Sequence, residues 1–583
     1  MLKLLKNLGK KEWLYITIGI IFILIQVWLE LKMPEYMSTI TRLVQTQGSK
    51  MQEILQNGGL MLLCALGSMI CHIITGYLFA NVSAKFSFNT RKKVFDKVEN
   101  LAMHEVNEFS TSSLITRTTN DITQMQMAIG MGIQLLVKAP ITAIWAVTKI
   151  LNKSWQWSTI TGVGVIIVLT TISILMSIVI PRFKKIQKLI DKINGLTREN
   201  LIGIRVIRAF NAEKYQEDKF ENTNEELTKT QIFTQKAMSL MSPIMYLVMY
   251  FLTLSIYFVG ARMIDSAQMV DKLPLFSDMI VFSSYAMQVI TSFLMLSMIF
   301  MMVPRAQVSA NRINEVIDAK ITIRDGKIDS DKNNKKGIVE FKNVSFKYPD
   351  ADEYLLKNIS FKAEKGQTVA FIGATGSGKT TLINLIPRLY DVTEGEVLVD
   401  EVNVKEYTQE YLHNKIGYVS QKAVMFDNSV LENVSYGEAL LEISEENAKK
   451  AIEIAQAKQF VEKMDEGYET HIASGGTNIS GGQKQRLSIA RAVARKPEIY
   501  IFDDSFSALD YKTDRSLRQA LKEYTKDVTT IIVAQRIGTI MNADKILVLD
   551  QGKIVGEGTH KELLQNCEIY KEIALSQLSI EEL

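Results

Sequence analysis

Cysteine is scarce in this sequence, with three in 583 residues. Cys64 and Cys71 share one apolar run, and Cys567 lies far away near the C-terminal end. That spacing makes neither a disulfide framework nor a metal-ligand set, so all three read as ordinary reduced thiols. A large excess of one charge is also missing. The formal net charge of +4 is small for this length and gives no case for nucleic-acid binding. Proline and glycine are almost absent from two long polar stretches, 83–126 and 181–242, which carry many Lys and Arg. Without helix breakers these stretches are expected to be long helices rather than loops.

What the chain does have is apolar length, and all of it on one side. At 583 residues it is too long for one core and is expected to divide into domains. Up to about Pro304 it is dominated by apolar runs rich in Met, Ile, Leu and Phe, whereas after about Gly337 it reads like a soluble α/β protein. A bilayer span needs roughly 20 apolar residues. Six stretches qualify: 13–31, 58–79, 127–147, 157–180, 244–263 and 276–303. The third is the weakest, because it contains Lys138 and Pro140. A basic start (Lys3, Lys6, Lys10, Lys11) precedes the first run, whose length and lack of a small-residue cleavage site favour an uncleaved span over a signal peptide.

The short connections hold few positive charges: Arg42 and Lys50, then Lys149 and Lys153, then Lys272. The two long connections and the N-terminus are therefore expected on the cytoplasmic face of the plasma membrane, and an even number of spans returns the C-terminus to that face. Gln26, Glu30, Lys32, His72, Lys138 and Gln288 fall within or beside the spans. Facing lipid would be expensive for them, so they are candidates to line a pathway. For Glu30, Lys32 and Lys138, placement near span ends favours snorkelling to the interface instead. Trp13, Trp28, Trp155 and Trp157 read as interfacial anchors.

Beyond the polar stretch 325–336 the period changes to that of strands, at 338–346 and 367–372. The second strand runs directly into Gly373, Ala374, Thr375, Gly376, Ser377, Gly378, Lys379, Thr380 and Thr381, a complete P-loop in strand–loop–helix context. Its glycines let backbone N–H groups turn onto phosphate oxygens at a helix N-terminus. Lys379 is expected to neutralise the β- and γ-phosphates of ATP, and the Thr380 hydroxyl to ligate Mg²⁺. Residues 498–503 form an apolar strand that delivers Asp503 to its C-terminal end, where the metal needs an acidic partner. Such a strand alone is weak evidence, but next to a P-loop it completes a nucleotide site.

Between these two motifs stand Asn478, Ile479, Ser480, Gly481, Gly482 and Gln483. On these residues, and over essentially its whole length, the chain resembles the exporter-type ABC transporters, with Ser480, Gly481, Gly482 and Gln483 similar to that family's signature. The resemblance implies that Tyr348 stacks on adenine, that Gln421 links the metal to the membrane domain, and that Ser507 to Asp510 form a loop between two ATP sites. It also implies cytoplasmic coupling regions at 109–121, including Arg117 and Asp121, and at 204–213. The expected architecture is a multi-domain membrane protein. An N-terminal all-α transmembrane domain at 1–320 has six spanning helices with long cytoplasmic extensions, a linker occupies 321–336, and an α/β P-loop nucleotide-binding domain fills 337–583. In the family each ATP is sandwiched between one P-loop and the other subunit's signature. Closing around ATP and reopening after hydrolysis are expected to drive the membrane helices between inward-open and outward-open states.

Two positions depart from the family pattern. The residue after the magnesium Asp, normally Glu, is Asp504, one methylene shorter. Its carboxylate should fall on the order of 1 Å short of the attacking water, a misplacement that can cost roughly a hundredfold in rate. The switch histidine expected after Ala534 is Gln535, which can hydrogen-bond a phosphate but cannot exchange a proton near neutral pH. Ser474, where the family usually has an acidic residue, is a weaker departure. Together they point to a heterodimer. This chain would form a degenerate site with Asp504 and Gln535, and would lend its signature to a competent site on a second half-transporter. The alternatives are a slow homodimer using Asp504 as base, or an ATP-gated regulatory or channel protein of the same fold. A soluble P-loop ATPase cannot account for six spans. Importers are disfavoured by the fusion of both domains, and processing of peptide cargo by the short stretch before the first span. The Met- and Phe-rich spans suit an amphipathic small molecule, lipid or peptide as cargo, although such residues are equally ordinary lipid-facing filler.

Overall fold

The computed structural model describes residues 2–6, 8–46, 48–151, 154–331, 336–437 and 443–578. Lys153, residues 332–335 of the expected linker, and 438–442 and 579–583 of the expected nucleotide domain lie outside them. The chain forms two compact units, Met1–Glu99 with Thr111–Ala319, and Asn100–Ser110 with Lys320–Leu583.

The first unit is helical throughout. Its membrane-spanning helices are α1 (Lys10–Gln45), α2 (Met51–Glu99), α4 (Thr111–Leu151), α5 (Trp155–Ala209), α6 (Glu213–Ser266) and α7 (Met269–Asp318), while the short α3 (Met103–Phe109) belongs to the second unit. Among the described residues six helices are therefore long and apolar enough to cross a bilayer, one for each expected span. At 1.5 Å per residue the 55 residues of α5 reach about 80 Å, far more than a hydrocarbon core of about 30 Å. The polar stretches predicted to be helical are these extensions. At most 38% of any span's most apolar window is buried, which leaves the remaining apolar faces for lipid.

α4 explains why its span reads weakly. It carries a π-helical turn at Ala128–Gly132 and keeps Pro140 inside the helix. Lys138 does not snorkel from it. Its ammonium pairs with Glu30 of α1 at 2.9 Å, and the same carboxylate oxygen accepts from Gln26 at 2.8 Å and from Ser68 of α2 at 3.2 Å. Glu35 of α1 likewise meets Lys32 and Lys149, each at 2.6 Å. These five charges are thus matched with one another, which replaces the expected snorkelling of Glu30, Lys32 and Lys138. Trp157 corrects a second expectation. It is 1% exposed, packed on Phe282 with ring centroids 5.4 Å apart, so it is a core residue and not an interfacial anchor. Trp13, Trp28 and Trp155 remain exposed.

Among the described residues the second unit holds two main sheets and a small two-stranded antiparallel ribbon of Asn428–Ser429 with His471–Ile472. β1 (Val339–Phe346), β2 (Leu356–Ala363), β4 (Glu394–Val399) and the two-residue β5 (Val402–Asn403), together with β3 (Thr368–Ile372) in the neighbouring sheet, open the domain. They are followed by β6 (Ile416–Val419), β7 (Ile499–Asp503), β8 (Thr529–Val533), β9 (Lys545–Asp550) and β10 (Lys553–Gly558). The smaller sheet is antiparallel in the order β2-β1-β4-β5. The larger runs β10-β9-β3-β8-β7-β6 and is parallel except for the edge strand β10. β7 and β8 are buried at every position, as parallel strands covered on both faces must be.

Residues 320–331 are held to this unit. Ile328 bridges to Tyr407, and Asp331 accepts from Tyr411 at 2.5 Å and from Lys415 at 2.7 Å. Lys415, 1% exposed, also meets Asp400 at 2.9 Å and Glu498 at 2.8 Å. Burial opposes its charge, but three carboxylates outweigh burial and hold it well above the usual lysine range. Removing one member of such a buried network strands the others. Lys415→Ala is expected to destabilise this domain by about 3–5 kcal/mol, read as a lowered denaturation midpoint.

Candidate functional site

Four parallel strands deliver the site. β6, β7, β8 and β3 are neighbours in the sheet, and each leads at its C-terminal end to one group of interest: Gln421, Asp503, Gln535 and the P-loop. Ligands of open α/β sheets bind at this edge. Here the residues line an open cleft of about 320 Å³ that includes Gly376, Gly378, Lys379, Thr380 and Thr381 with Gln421, Asp503, Asp504 and Gln535.

The loop geometry requires its glycines. Gly376 and Gly378 have φ of +86° and +97°, in the left-handed region that other residues rarely adopt. A Cβ on Gly378 would also run into Leu356. Gly378 caps α8 (Lys379–Asn384), and Ser377 is buried within the turn. The Lys379 ammonium lies inside the loop, donating to the carbonyls of Gly373 and Ala374, each at 2.8 Å, and to Ser377 Oγ at 3.3 Å. Burial pushes its pKa below the ordinary lysine value. A phosphate in the loop favours the cation, so nucleotide affinity should weaken as pH rises through the depressed pKa. Calorimetry at alkaline pH in buffers of different ionisation enthalpy should then register proton uptake on binding.

Thr380 and Asp503 meet directly, hydroxyl to carboxylate at 3.0 Å. Burial raises the pKa of Asp503. Asp504 follows at φ +46°, with its N–H on the Val533 carbonyl at 2.9 Å. Its Oδ2 accepts from both Gln421 Nε2 at 3.2 Å and Gln535 Nε2 at 3.0 Å, and burial raises its pKa as well. The two residues that depart from the family pattern are therefore in mutual contact, bridged to Gln421. The sequence held no local sign of this, because the partners are 83 and 31 residues from Asp504.

Tyr348 lies beside the cleft. Its hydroxyl shares a hydrogen bond with Thr381 Oγ1 at 2.9 Å, and its ring packs edge-on against Phe346 and Tyr390. Ser480, Gly481, Gly482 and Gln483 do not line the cleft. Ser480 caps α9 (Gly481–Ala494) in a reciprocal box: Gln483 N–H donates to Ser480 Oγ at 3.3 Å, and Ser480 N–H donates to Gln483 Oε1 at 2.8 Å. The signature is thus an exposed helix start apart from its own chain's P-loop.

Known proteins share this organisation. An ABC transporter transmembrane region matches residues 16–293, and an ABC transporter domain matches 356–507. An uncharacterized ABC transporter ATP-binding protein of Mycobacterium tuberculosis is 38% identical over 523 residues, spanning 89% of this chain and 87% of that protein. The chain belongs to the ABC transporter family. It is an exporter-type half-transporter, a multi-pass plasma-membrane protein with its membrane domain fused to an ATP-binding domain. An ATP-dependent lipid A-core flippase of Pseudomonas aeruginosa is 31% identical, spanning 87% of this half-transporter and 82% of the flippase. A bacterial Atm1-family ABC exporter solved with ATP bound has the same fold, with a TM-score of 0.80 over 97% of this chain and 99% of that one at 23% identity.

Proposed function

We propose that this exporter subunit works in a heterodimer, binding ATP in a degenerate site of its own and completing a competent site on its partner. The observation that carries the reading is the contact of Asp504 with Gln535 and Gln421. A general base needs a free lone pair aimed at water, and a glutamine in place of histidine cannot relay a proton. Here one oxygen of the shortened carboxylate, Oδ2, is engaged by two amides. Two identical sites of this kind would leave an exporter with little turnover.

In this reading Gly373, Gly376, Ser377, Gly378, Lys379 and Thr381 hold the phosphates, and Tyr348 turns its ring to adenine. Thr380, Asp503 and Gln421 offer the hard oxygen donors that Mg²⁺ takes, and a bound Mg²⁺ would offset the charge of the phosphates. The exposed start of α9 suits a role toward a nucleotide held by another subunit, with Ser480 and the N–H groups after it facing phosphate. The cargo is an amphipathic small molecule, lipid or peptide. The kinship with lipid flippases favours an amphipath, and the charge pattern of the connections supports cytoplasmic termini.

ATPase activity of the chain alone and co-purified with its partner half-transporter tests the proposal. Strong turnover only in the complex, lost on neutralising the partner's base but not Asp504, is the expected outcome. Full turnover by this chain alone would establish a homodimer with Asp504 as a working base. ATP binding without ATP-dependent cargo movement in vesicles would favour a gated channel or regulatory protein.

A further inference from the structure

Gln535 sits on a bend between the buried strand β8 and the short helix α10 (Ile537–Ile540). Its side chain lines the cleft and donates to Asp504 Oδ2 at 3.0 Å. Packing does not hold the bend, since Gln535 and Arg536 are both exposed. A second glutamine holds it instead, from 42 residues further along the chain. Gln577 Nε2 donates to the Gln535 carbonyl at 2.8 Å, and the Ile537 N–H donates to Gln577 Oε1 at 2.8 Å. One planar amide thus satisfies the backbone groups on either side of Arg536, including an N–H at the start of α10 that has no partner within the helix.

Gln577 is itself anchored. It follows α11 (Glu568–Leu575), whose Tyr570 and Ala574 are fully buried in the same apolar core as Ile537 and Ile540. The Tyr570 hydroxyl shares a hydrogen bond with His560 Nδ1 at 2.7 Å, and the Gln577 N–H donates to the Ala574 carbonyl at 3.1 Å. A core-anchored helix therefore braces an exposed bend, and that bend carries a group facing the nucleotide cleft.

We propose that Gln577 is a positioning residue of the nucleotide site, setting the Gln535 amide where it can meet the terminal phosphate of ATP. Gln577 does not line the cleft; it fixes the peptide from which Gln535 projects. Without it that peptide is free, and a group that must first be ordered binds its phosphate less well. ADP lacks this phosphate and should be bound as before. The proposal rests on Gln535 serving the terminal phosphate and not on the heterodimer.

Calorimetry on the full chain in lipid nanodiscs tests it, with Mg²⁺ and either ADP or the non-hydrolysable analogue AMP-PNP. The wild type should bind AMP-PNP more tightly than ADP. Gln577→Met keeps the length of the side chain but not its amide. It should lower AMP-PNP affinity about fivefold, the scale of one net hydrogen bond, with ADP affinity unchanged within about twofold. Gln577→Glu keeps the acceptor for Ile537 but not the donor to Gln535, and should shift affinity in the same direction. Gln577 is exposed, so neither variant disturbs the core. Gln535→Ala should remove the same preference, and adding Gln577→Met to it should remove nothing more. Equal loss for both nucleotides would overturn the proposal by assigning Gln577 to stability. Unchanged affinities, or losses that add in the double variant, would overturn it as well. A wild type without preference would overturn the role of Gln535 and this inference with it, while the turnover test of the heterodimer would stand.

Discussion

Replacing Asp504 by Glu and Gln535 by His together should raise ATP turnover at this chain's own site by about a hundredfold, or about 2.7 kcal/mol of barrier. The gain has two sources. Glutamate restores the methylene that brings a carboxylate to the attacking water. Histidine removes one of the two amide donors now holding Asp504 Oδ2 and restores a side chain that can carry a proton. Asp504→Glu alone should recover less, because Gln535 would still engage the carboxylate. The measurement is steady-state phosphate release by the complex with the partner's catalytic base neutralised, so that only this site is read. No gain over the parent complex would show that something other than the shortened base limits the site.

Ser480→Ala should have a comparably large effect in the opposite direction, and at the other site. Losing its cap on α9 costs about 1 kcal/mol of helix stability, too little to unfold the domain. If the proposed heterodimer holds, with the Ser480 hydroxyl serving a phosphate on the partner, its loss should lower turnover of the whole complex by about a hundredfold, the usual scale for deleting one such donor. On the same proposal of a degenerate site, Asp504→Asn in that complex should change turnover by less than about twofold. The ratio of these two effects is the informative quantity. A homodimer would reverse it, with Asp504→Asn as the damaging change.

Much of this protein could be read from its sequence because the signals were local. Each span is a contiguous apolar run, so six helices could be placed before any contact was known, although helix ends extended well past them. The P-loop is legible for the same reason: strand, glycines, Lys379 and helix are consecutive, and Gly376 and Gly378 take the positive φ that the motif demands. Asp503 followed from an apolar strand beside that loop. The third span was harder, since a π-helical turn and an interior proline blur its period. Trp157 is a core residue and not an interfacial anchor, and its sequence context does not tell the two apart, because interfacial and core tryptophans look alike until the neighbouring helices are in place. Glu105 is one of two glutamates in the short polar helix α3, and nothing local marks it as the buried one.

The sequence by itself therefore determined the two kinds of domain, the number of spans and the identity of the nucleotide motifs, because each depends on residues within one helix or one turn. Tertiary structure decided the rest. It paired Glu30 with Lys138 across 108 residues, set Gln535 and Gln421 on Asp504, and brought Thr322 to Glu105 across 217. A charge or an amide buried by packing must find a partner wherever the fold supplies one. Which partner that is depends on how helices and strands stack, and no local pattern of residues encodes it.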